Sequence, residues 1–288
     1  MGLTLTDEDG RALRISCGEV ELLRYVYRPW DDQLESPRPY FHPVRTLGGN
    51  LVTLYRPHDH VWHKGIAWSL PNVGPANFWG GPTFLRDGGY QQLANNGAMR
   101  HREFELTSAT EVVHWLDWVT EQGQEWFTER RSFTVDVDAA ARAWTLGFTT
   151  SFVNVSGREI VFGSPTTEGR SNAGYGGLFW RGPRSFSGGE VLVPGTTGGD
   201  ELMGVRAPWL AFRGRHDEYG GESTLIFVDR QDDPPQWFVR SRPFACVCPA
   251  PFFSKEIVVA PDEELTFRYA VVIADSAREP GEIAHLVG

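Results

Sequence analysis

Residues 124–137 read QEWFTERRSFTVDV, a run in which apolar and polar side chains alternate. The side chains on one face are mostly apolar and include two of opposite charge: Phe127, Glu129, Arg131, Phe133, Val135 and Val137. Successive side chains of a β-strand point to opposite faces of its sheet. Alternation with a period of two therefore predicts a strand with one buried face.

The same period continues through RAWTLGFTTSFVNV (142–155). Five further runs share it and are rich in β-branched and aromatic residues: EVVHWLDWVT (111–120), STLIFVD (223–229), QWFVRS (236–241), KEIVVA (255–260) and LTFRYAVVIAD (265–275). Gly, Pro, Asp and Asn bound these runs. Only EPGEIAHLV (279–287) and a turn within 72–80 look helical.

Many short strands punctuated by Gly and Pro, without alternating helices, are typical of an all-β sandwich or barrel. No internal repeat, low-complexity linker or break in composition divides the chain. We therefore predict an all-β fold, a large antiparallel β-sandwich of two sheets, formed by a single domain over residues 1–288.

Two connections between the predicted strands are long, rich in glycine and studded with aromatic and charged side chains. They are PNVGPANFWGGPTFLRDGGY (71–90) and SPTTEGRSNAGYGGLFWRGPRSFSGGE (164–190). Long connections in a compact domain are more often binding loops than idle ones. We expect them to lie over a concave face of the sandwich and to bind a sugar. The alternative is a lid that packs its aromatic side chains onto the sheet.

Composition narrows the class of partner. The 288 residues include 27 basic and 37 acidic side chains, and this net charge of −10 argues against nucleic acid or an anionic membrane. No apolar run is long enough to span a membrane, and the amino terminus lacks the features of a secretion signal. We predict a cytoplasmic protein whose partner is a small molecule. Cys246 and Cys248 are expected to be small buried residues on one strand face.

Three histidines and a lysine cluster in RPHDHVWHKGIAW (56–68). If residues 56–62 are extended, His58, His60 and Trp62 point one way. The cluster then fits general acid–base chemistry, with Asp59 and Lys64 nearby, or hydrogen bonding to a substrate. It also fits a divalent transition metal held by His58 and His60 with a third ligand such as His42, His101 or Glu168. A purely structural turn is the third possibility, and the spacing alone leaves all three open.

Four stretches of the chain resemble the bacterial PmoA-like family of unknown function: PRPYFHPVRTLGGNLVT, RPHDHVWHKGIAWSLPNVGPANFWGG, EGRSNAGYGGLFWRGP and RSRPFACVCPAPFFSKE. The likeness runs from about residue 37 to about residue 275, and its motifs are D-H-x-x-H-[KRH]-G and G-Y-G-G-[LF]-F-W-R. The chain departs from the pattern at residues 72–74, where it reads Asn-Val-Gly with a shifted spacing. The family's name suggests a subunit of a methane oxygenase. We reject that role because the methane enzyme is a membrane complex and this chain shows no spanning segment.

The resemblance implies a sandwich similar to the galactose-mutarotase-like group, in which a histidine and a glutamate exchange protons with a sugar. It implies His60, His63 and Glu168 as catalytic residues, with Glu129 and Glu256 as other carboxylate candidates. The substrate-binding residues that it implies are His42, Arg45, His58, Lys64, Trp79, Tyr90, His101, Arg170, Tyr175 and Arg181. His58, His60 and His101 would be the ligands if a metal were bound, although no cofactor is expected.

The function predicted from the sequence is that of a soluble carbohydrate-active protein. It would use acid–base catalysis on a sugar or an oxidised sugar, as a mutarotase, epimerase, isomerase or lyase does. One alternative is a metal-dependent oxygenase or hydrolase built on the histidine cluster. Another is a sugar-binding module without catalysis, which would need the aromatic and arginine side chains alone. The sequence predicts no oligomeric state.

Overall fold

A computed structural model of the protein describes residues 2–217 and 220–287, and strands dominate its secondary structure. The strands are β1 Leu3–Glu8, β2 Ala12–Cys17, β3 Val20–Val26, β4 Tyr40–Val44, β5 Ile66–Val73, β6 Ala76–Phe78, β7 Thr83–Leu85, β8 Gly89–Gln91, β9 Ala98–Thr107, β10 Glu111–Val119, β11 Glu125–Asp138, β12 Ala143–Asn154, β13 Ile160–Gly163, β14 Gly177–Arg181, β15 Glu190–Val193, β16 Thr196–Gly198, β17 Trp209–Arg215, β18 Glu222–Asp229, β19 Gln236–Arg240, β20 Cys246–Ala250, β21 Ile257–Val259 and β22 Glu264–Ala274. The helices are three short 3-10 segments, Gln33–Glu35, Arg184–Phe186 and Asp200–Leu202, and helix α1, Pro280–Val287.

Two large sheets form the body of the protein, and their strands pair antiparallel. The first sheet has the order β1-β2-β3-β4-β5-β14-β20-β19, with β6 and β13 also paired to β5 and β21 paired to β13. The second sheet has the order β16-β15-β17-β18-β22-β12-β11-β10-β9. Strands β7 and β8 form a separate hairpin. The predicted all-β fold with two antiparallel sheets is confirmed.

Strand β11 shows how the alternating pattern becomes a core. It pairs with β12 over its whole length, and Phe133 lies opposite Phe148. The two charged residues on its apolar face are fully buried and satisfy each other, since Arg131 Nε donates to Glu129 Oε1 at 2.7 Å. Thr150 donates a further hydrogen bond to the same carboxylate at 2.7 Å. Burial of a charge is tolerated only when it is paired and hydrogen-bonded in this way.

The first sheet presents different side chains on its two faces. Its inner face packs against the second sheet; Trp180, for example, contacts Phe212 and Phe227. On the outer face, Arg181 of β14 lies opposite Cys246 of β20, which in turn lies opposite Arg240 of β19. Because side chains alternate along each strand, Arg181, Cys246 and Arg240 form a row on the outer face, while the inner face is apolar.

Several local predictions can be compared with the structure. Cys246 and Cys248 are buried on one face of β20, as predicted, and the helix at the carboxyl end is α1. The helical turn predicted within 72–80 is wrong. Strands β5 and β6 occupy that segment, and they are joined at Gly74, whose positive φ of 54° suits a tight turn. Among the described residues, no helix is both long and apolar enough to cross a membrane.

Gly65 is a position where the backbone requires glycine. Its φ is +59°, and a Cβ there would lie 2.2 Å from the carbonyl oxygen of Phe41 on the neighbouring strand. Gly49 is a matched control, because its φ is also positive, at +89°, while a Cβ would meet nothing within 4 Å.

We expect Gly65→Ala to lower the free energy of unfolding by about 1–3 kcal/mol more than Gly49→Ala does, since it adds a steric clash to the backbone strain that both share. Urea denaturation of the two variants measures this difference. Equal destabilisation would show that the close approach of the two strands is not a constraint.

Candidate functional site

The histidine cluster lies in a loop that leads into β5. Arg56 N–H donates to the carbonyl of His63 at 3.0 Å and closes this loop. Inside it, His60 N–H donates to Pro57 O at 3.0 Å and His63 N–H donates to His60 O at 2.9 Å, so two turns follow each other. Residues 56–62 are therefore not extended, so the condition under which His58, His60 and Trp62 would point one way is not met. As a result, the rings of His60 and His63 stack at 4.6 Å, while His58 is exposed and pairs with Arg184.

Buried charges beneath this loop hold it in place. Lys64 is fully buried; its ammonium contacts Glu35 and lies 2.8 Å from Asp31 Oδ1. Arg56 also donates to Glu35, at 2.5 Å, and the buried Arg38 donates to the carbonyl of Trp62 at 2.7 Å. Lys64, one of the predicted substrate-binding residues, thus lies outside the cavity described next and stabilises the loop.

A cavity of about 500 Å³ opens above the outer face of β14, β20 and β19. Its lining residues are His60, Trp62, His63, Trp79, Gly80, Pro82, Tyr90, Arg170, Tyr175, Phe179, Phe238, Arg240, Pro243, Phe244 and Cys246. This volume falls within the range of small-molecule sites. Aromatic rings form a continuous wall, since Trp79 contacts both Tyr175 and Phe179, at 4.6 and 4.7 Å between ring centroids.

His63 presents a hydrogen-bond donor to this cavity. Its Nδ1 lies 2.9 Å from Nη1 of the buried Arg181. A guanidinium group only donates, so Nδ1 accepts and the imidazole proton resides on Nε2. Burial, together with the nearby His60 and Arg181, lowers the pKa of His63 well below its usual value. His63 therefore stays neutral and keeps its Nε2–H.

His60 presents the opposite polarity. Its Nδ1 lies 2.9 Å from Oδ2 of Asp59, which also pairs with Arg181 at 3.3 Å and Arg184 at 2.9 Å. Burial alone would raise the pKa of the Asp59 carboxyl. The hydrogen bond from His60 and the charges of the two arginines outweigh burial and lower this pKa. The ionised carboxylate accepts the Nδ1 proton, which leaves the lone pair of Nε2 available as a base.

The remaining polar groups of the cavity come from the first sheet, from the loop after β13 and from the β7–β8 hairpin, which carries Tyr90. Arg170 donates to the hydroxyl of Tyr90, and that hydroxyl is 2.9 Å from the hydroxyl of Tyr175. Arg240 lies over the ring of Phe238 at 5.6 Å. Burial raises the pKa of the Cys246 thiol to about 12, so this cysteine is not a thiolate nucleophile.

The structure brings some predicted site residues together and separates others. Those that line the cavity are His60, His63, Trp79, Tyr90, Arg170 and Tyr175. Arg181 lies directly behind His63. Those outside it are His42, Arg45, His58, Lys64, His101 and Glu168.

Long-range pairing explains why two of the histidines lie elsewhere. His42 is on β4, where its Nδ1 pairs with Thr53 at 2.9 Å, and burial lowers its pKa to about 4. His101 is on β9 of the second sheet, and its Nδ1 lies 3.0 Å from Nδ1 of the buried His114. Arg45 is used locally, because it donates to the carbonyl of Gly49 at 3.1 Å.

Glu168 lies in a turn that closes before its loop reaches the cavity. Its backbone N–H donates to Ser164 O at 3.2 Å, and the N–H of Arg170 donates to Pro165 O at 2.8 Å. The loop contributes Arg170 and Tyr175 to the cavity, and both come after this turn. None of the described residues that line the cavity carries a carboxylate.

The predicted metal ligands do not converge. His58 pairs with Arg184, His60 pairs with Asp59, and His101 is on the other sheet. Within residues 2–217 and 220–287, no group of three His, Cys, Asp or Glu side chains is arranged to hold a metal ion.

A model of the family of unknown function DUF6807 matches residues 12–288. The chain belongs to this family. No curated protein matches the sequence. The motifs that resemble the PmoA-like family lie inside the matched range, and that resemblance stays a prediction.

Several solved structures are similar to this DUF6807 chain. One is a GH36 α-galactosidase from Geobacillus stearothermophilus, with 10% identity, a TM-score of 0.46 and coverage of 96% of this chain; the chain spans 41% of the length of that enzyme. Another is a putative aldose 1-epimerase from Escherichia coli K12, with 12% identity, a TM-score of 0.41 and coverage of 94% and 98% of the two chains. A third is a GalM/aldose epimerase homologue from C. elegans, with 9% identity, a TM-score of 0.37 and coverage of 96% and 99%.

Several residues that line the cavity were not predicted from the sequence. Arg240, Phe238 and Phe244 line the cavity, although none belongs to the long loops from which the site was expected. The alternation in QWFVRS does place Phe238 and Arg240 on one strand face. What the sequence does not show is that this strand pairs with the strand carrying Cys246.

The chain has two lysines, and they make a matched pair for testing the buried charges. Lys64 is buried between Asp31 and Glu35, whereas Lys255 is exposed.

We expect Lys64→Met to lower the free energy of unfolding by roughly 3–5 kcal/mol, because it leaves the buried carboxylate of Asp31 without a cation and that of Glu35 with Arg56 alone. Lys255→Met should change it by no more than about 0.5 kcal/mol. Chemical denaturation of both variants measures the contrast. Similar values for the two would mean that the ionic cluster does not stabilise the loop.

Proposed function

We propose that this protein binds a carbohydrate in the cavity and catalyses proton transfer on it, with His60 as the general base and His63 as a hydrogen-bond donor. The observation that carries the proposal is the opposite polarity of two stacked imidazoles at one cavity. His60 offers a lone pair on Nε2, and His63 offers an Nε2–H. Reactions that remove a proton beside an oxygen need both groups at once.

The cavity wall suits a sugar ring. Trp79, Tyr175 and Phe179 offer flat apolar faces, and Tyr175 and Tyr90 carry hydroxyls beside them. Aromatic side chains with a polar tip satisfy both the C–H faces and the hydroxyl groups of a carbohydrate.

His60, Asp59 and His63 each have a role in the proposed reaction. His60 Nε2 would take a proton from the substrate, from a hydroxyl or from a carbon next to a carbonyl. The Asp59 carboxylate would stabilise the imidazolium so formed, as an aspartate that orients a histidine does in other enzymes. His63 Nε2–H would donate to the oxygen on which negative charge develops. In an isomerisation, His60 passes the proton that it took from one carbon to the neighbouring carbon. In an anomerisation, His60 takes the proton of the anomeric hydroxyl and passes it to the ring oxygen as the bond between that oxygen and the anomeric carbon breaks; the reverse steps close the ring on the other face of that carbon, so no atoms are gained or lost.

Arg181 is a positioning residue in this mechanism. Its two terminal nitrogens donate to His63 and to Asp59, so one guanidinium fixes the proton positions of both imidazoles. Because it also lies 3.7 Å from the Phe244 ring, its own orientation is fixed. This arrangement keeps His63 as a neutral donor and prevents it from competing with His60 for the proton.

Nuclear magnetic resonance in D₂O tests the proposal, because a base that removes a carbon-bound proton exchanges it for deuterium. Saturation transfer between anomers detects the corresponding reaction on a hydroxyl. The substrates would be a panel of aldoses, ketoses and uronic acids.

We expect the wild-type protein to catalyse one of these exchanges, and His60→Gln and His63→Gln to slow it by about a hundredfold or more. His285→Gln, at an exposed position of α1, is the control and should keep full activity. Thermal unfolding verifies that each variant is folded. Undiminished exchange in folded His60→Gln would disprove its role as the base. Sugar binding without any exchange would instead point to a binding module.

A further inference from the structure

Two arginines of the cavity are not neutralised by a carboxylate. Arg181, behind the cavity, pairs with Asp59. Arg170 and Arg240 both line the cavity, and neither forms an ion pair with an Asp or Glu among the described residues. This contrasts with the chain as a whole, in which 37 acidic residues outnumber 27 basic ones.

These two arginines lie at opposite ends of one line of contacts. Arg170 donates to Tyr90 and lies 4.8 Å from its ring centroid. Tyr90 is hydrogen-bonded to Tyr175, whose ring is 5.5 Å from that of Phe238. Arg240 lies over Phe238. The guanidinium groups therefore lie at the two ends of this part of the cavity wall, and the neutral side chains between them do not compensate their charge.

The hydroxyl groups between the arginines add another donor. Tyr90 accepts a hydrogen bond from Arg170, which cannot accept one in return. The bond between Tyr90 and Tyr175 uses one of their two O–H protons, so the other proton is left to donate elsewhere. His63 Nε2–H is a further donor. A ligand rich in acceptor oxygens complements these donors.

We infer that the carbohydrate bound here carries an anionic group, a carboxylate or a phosphate, which is bound by one of these two arginines. This inference rests on the proposed function in taking the ligand to be a carbohydrate. Guanidinium groups pair with planar carboxylates and with phosphates through charge-assisted hydrogen bonds, which are stronger than bonds between neutral groups. Sugar acids and sugar phosphates are the two sources of such a group.

Isothermal titration calorimetry with matched sets of ligands tests the inference on the full chain. For glucose, galactose and mannose, each set holds the neutral hexose, the hexuronate and the hexose 6-phosphate. We expect at least one anionic member to bind about tenfold or more tightly than its neutral parent at low salt. The preference should shrink as the ionic strength rises. Which anionic member binds better shows whether the site takes a carboxylate or a phosphate.

Substitution of the arginines locates the effect. Arg170→Gln or Arg240→Gln should remove most of the preference, measured as the ratio of the affinities for the anionic member and its neutral parent, and the variant that does so identifies the binding arginine. Arg100→Gln is the control, because Arg100 is an exposed residue of β9 on the other sheet. Thermal unfolding checks that the variants are folded, and the salt dependence of the wild-type protein tests the same point without any substitution.

Three results would overturn the inference: equal binding of neutral and anionic members, a preference that survives both arginine substitutions, or no binding by any anionic member. Its failure is distinguishable from that of the proposed function. If neutral sugars bind and exchange protons, the proposed function stands without the anionic group. If acids bind through the arginines but His60→Gln exchanges protons at the wild-type rate, the anionic site stands without the proposed catalytic role of His60.

Discussion

The conformation of the loop that carries the histidine cluster depends on the buried ammonium group of Lys64. Lys64 lies without solvent contact between Asp31 and Glu35, and Arg56 joins the same cluster. Removing such charges from water is costly, and apolar side chains of similar size often stabilise a protein as well or better. Apolar packing has no direction, however, whereas ion pairs fix the atoms that they join. We interpret this cluster as the device that gives a loop of two turns a single conformation.

A consequence is that two identical side chains acquire different chemistry. His60 and His63 are three residues apart and stack on each other, so their distance to a ligand hardly distinguishes them. Their hydrogen-bond partners distinguish them, because Asp59 accepts a hydrogen bond from the ring of His60 and Arg181 donates one to the ring of His63. The tautomer of each ring, and with it the proposed roles of base and donor, therefore depends on groups that do not line the cavity.

The sequence predicted what depends on local alternation. It identified seven of the strands, β10, β11, β12, β18, β19, β21 and β22, together with the two-sheet arrangement, the terminal helix and the shared face of Cys246 and Cys248. It did not predict features that depend on distant partners. The pairing of Arg56 with His63 turns an apparently extended segment into a loop, and the pairing of β19 with β20 brings Arg240 to the site. Glu168 was misplaced for a similar reason, since hydrogen bonds around Ser164 close its turn early.

The position of the cavity on the outer face of a sheet has a consequence for how such proteins diverge. Along β14, β20 and β19, residues that line the cavity alternate with residues of the core, such as Phe179 with Trp180 and Phe238 with Val239. Substitutions at the outward positions alter the shape and charge of the site and leave the apolar layer between the sheets untouched. The same scaffold can accordingly acquire new ligand preferences through single mutations, at little risk to folding.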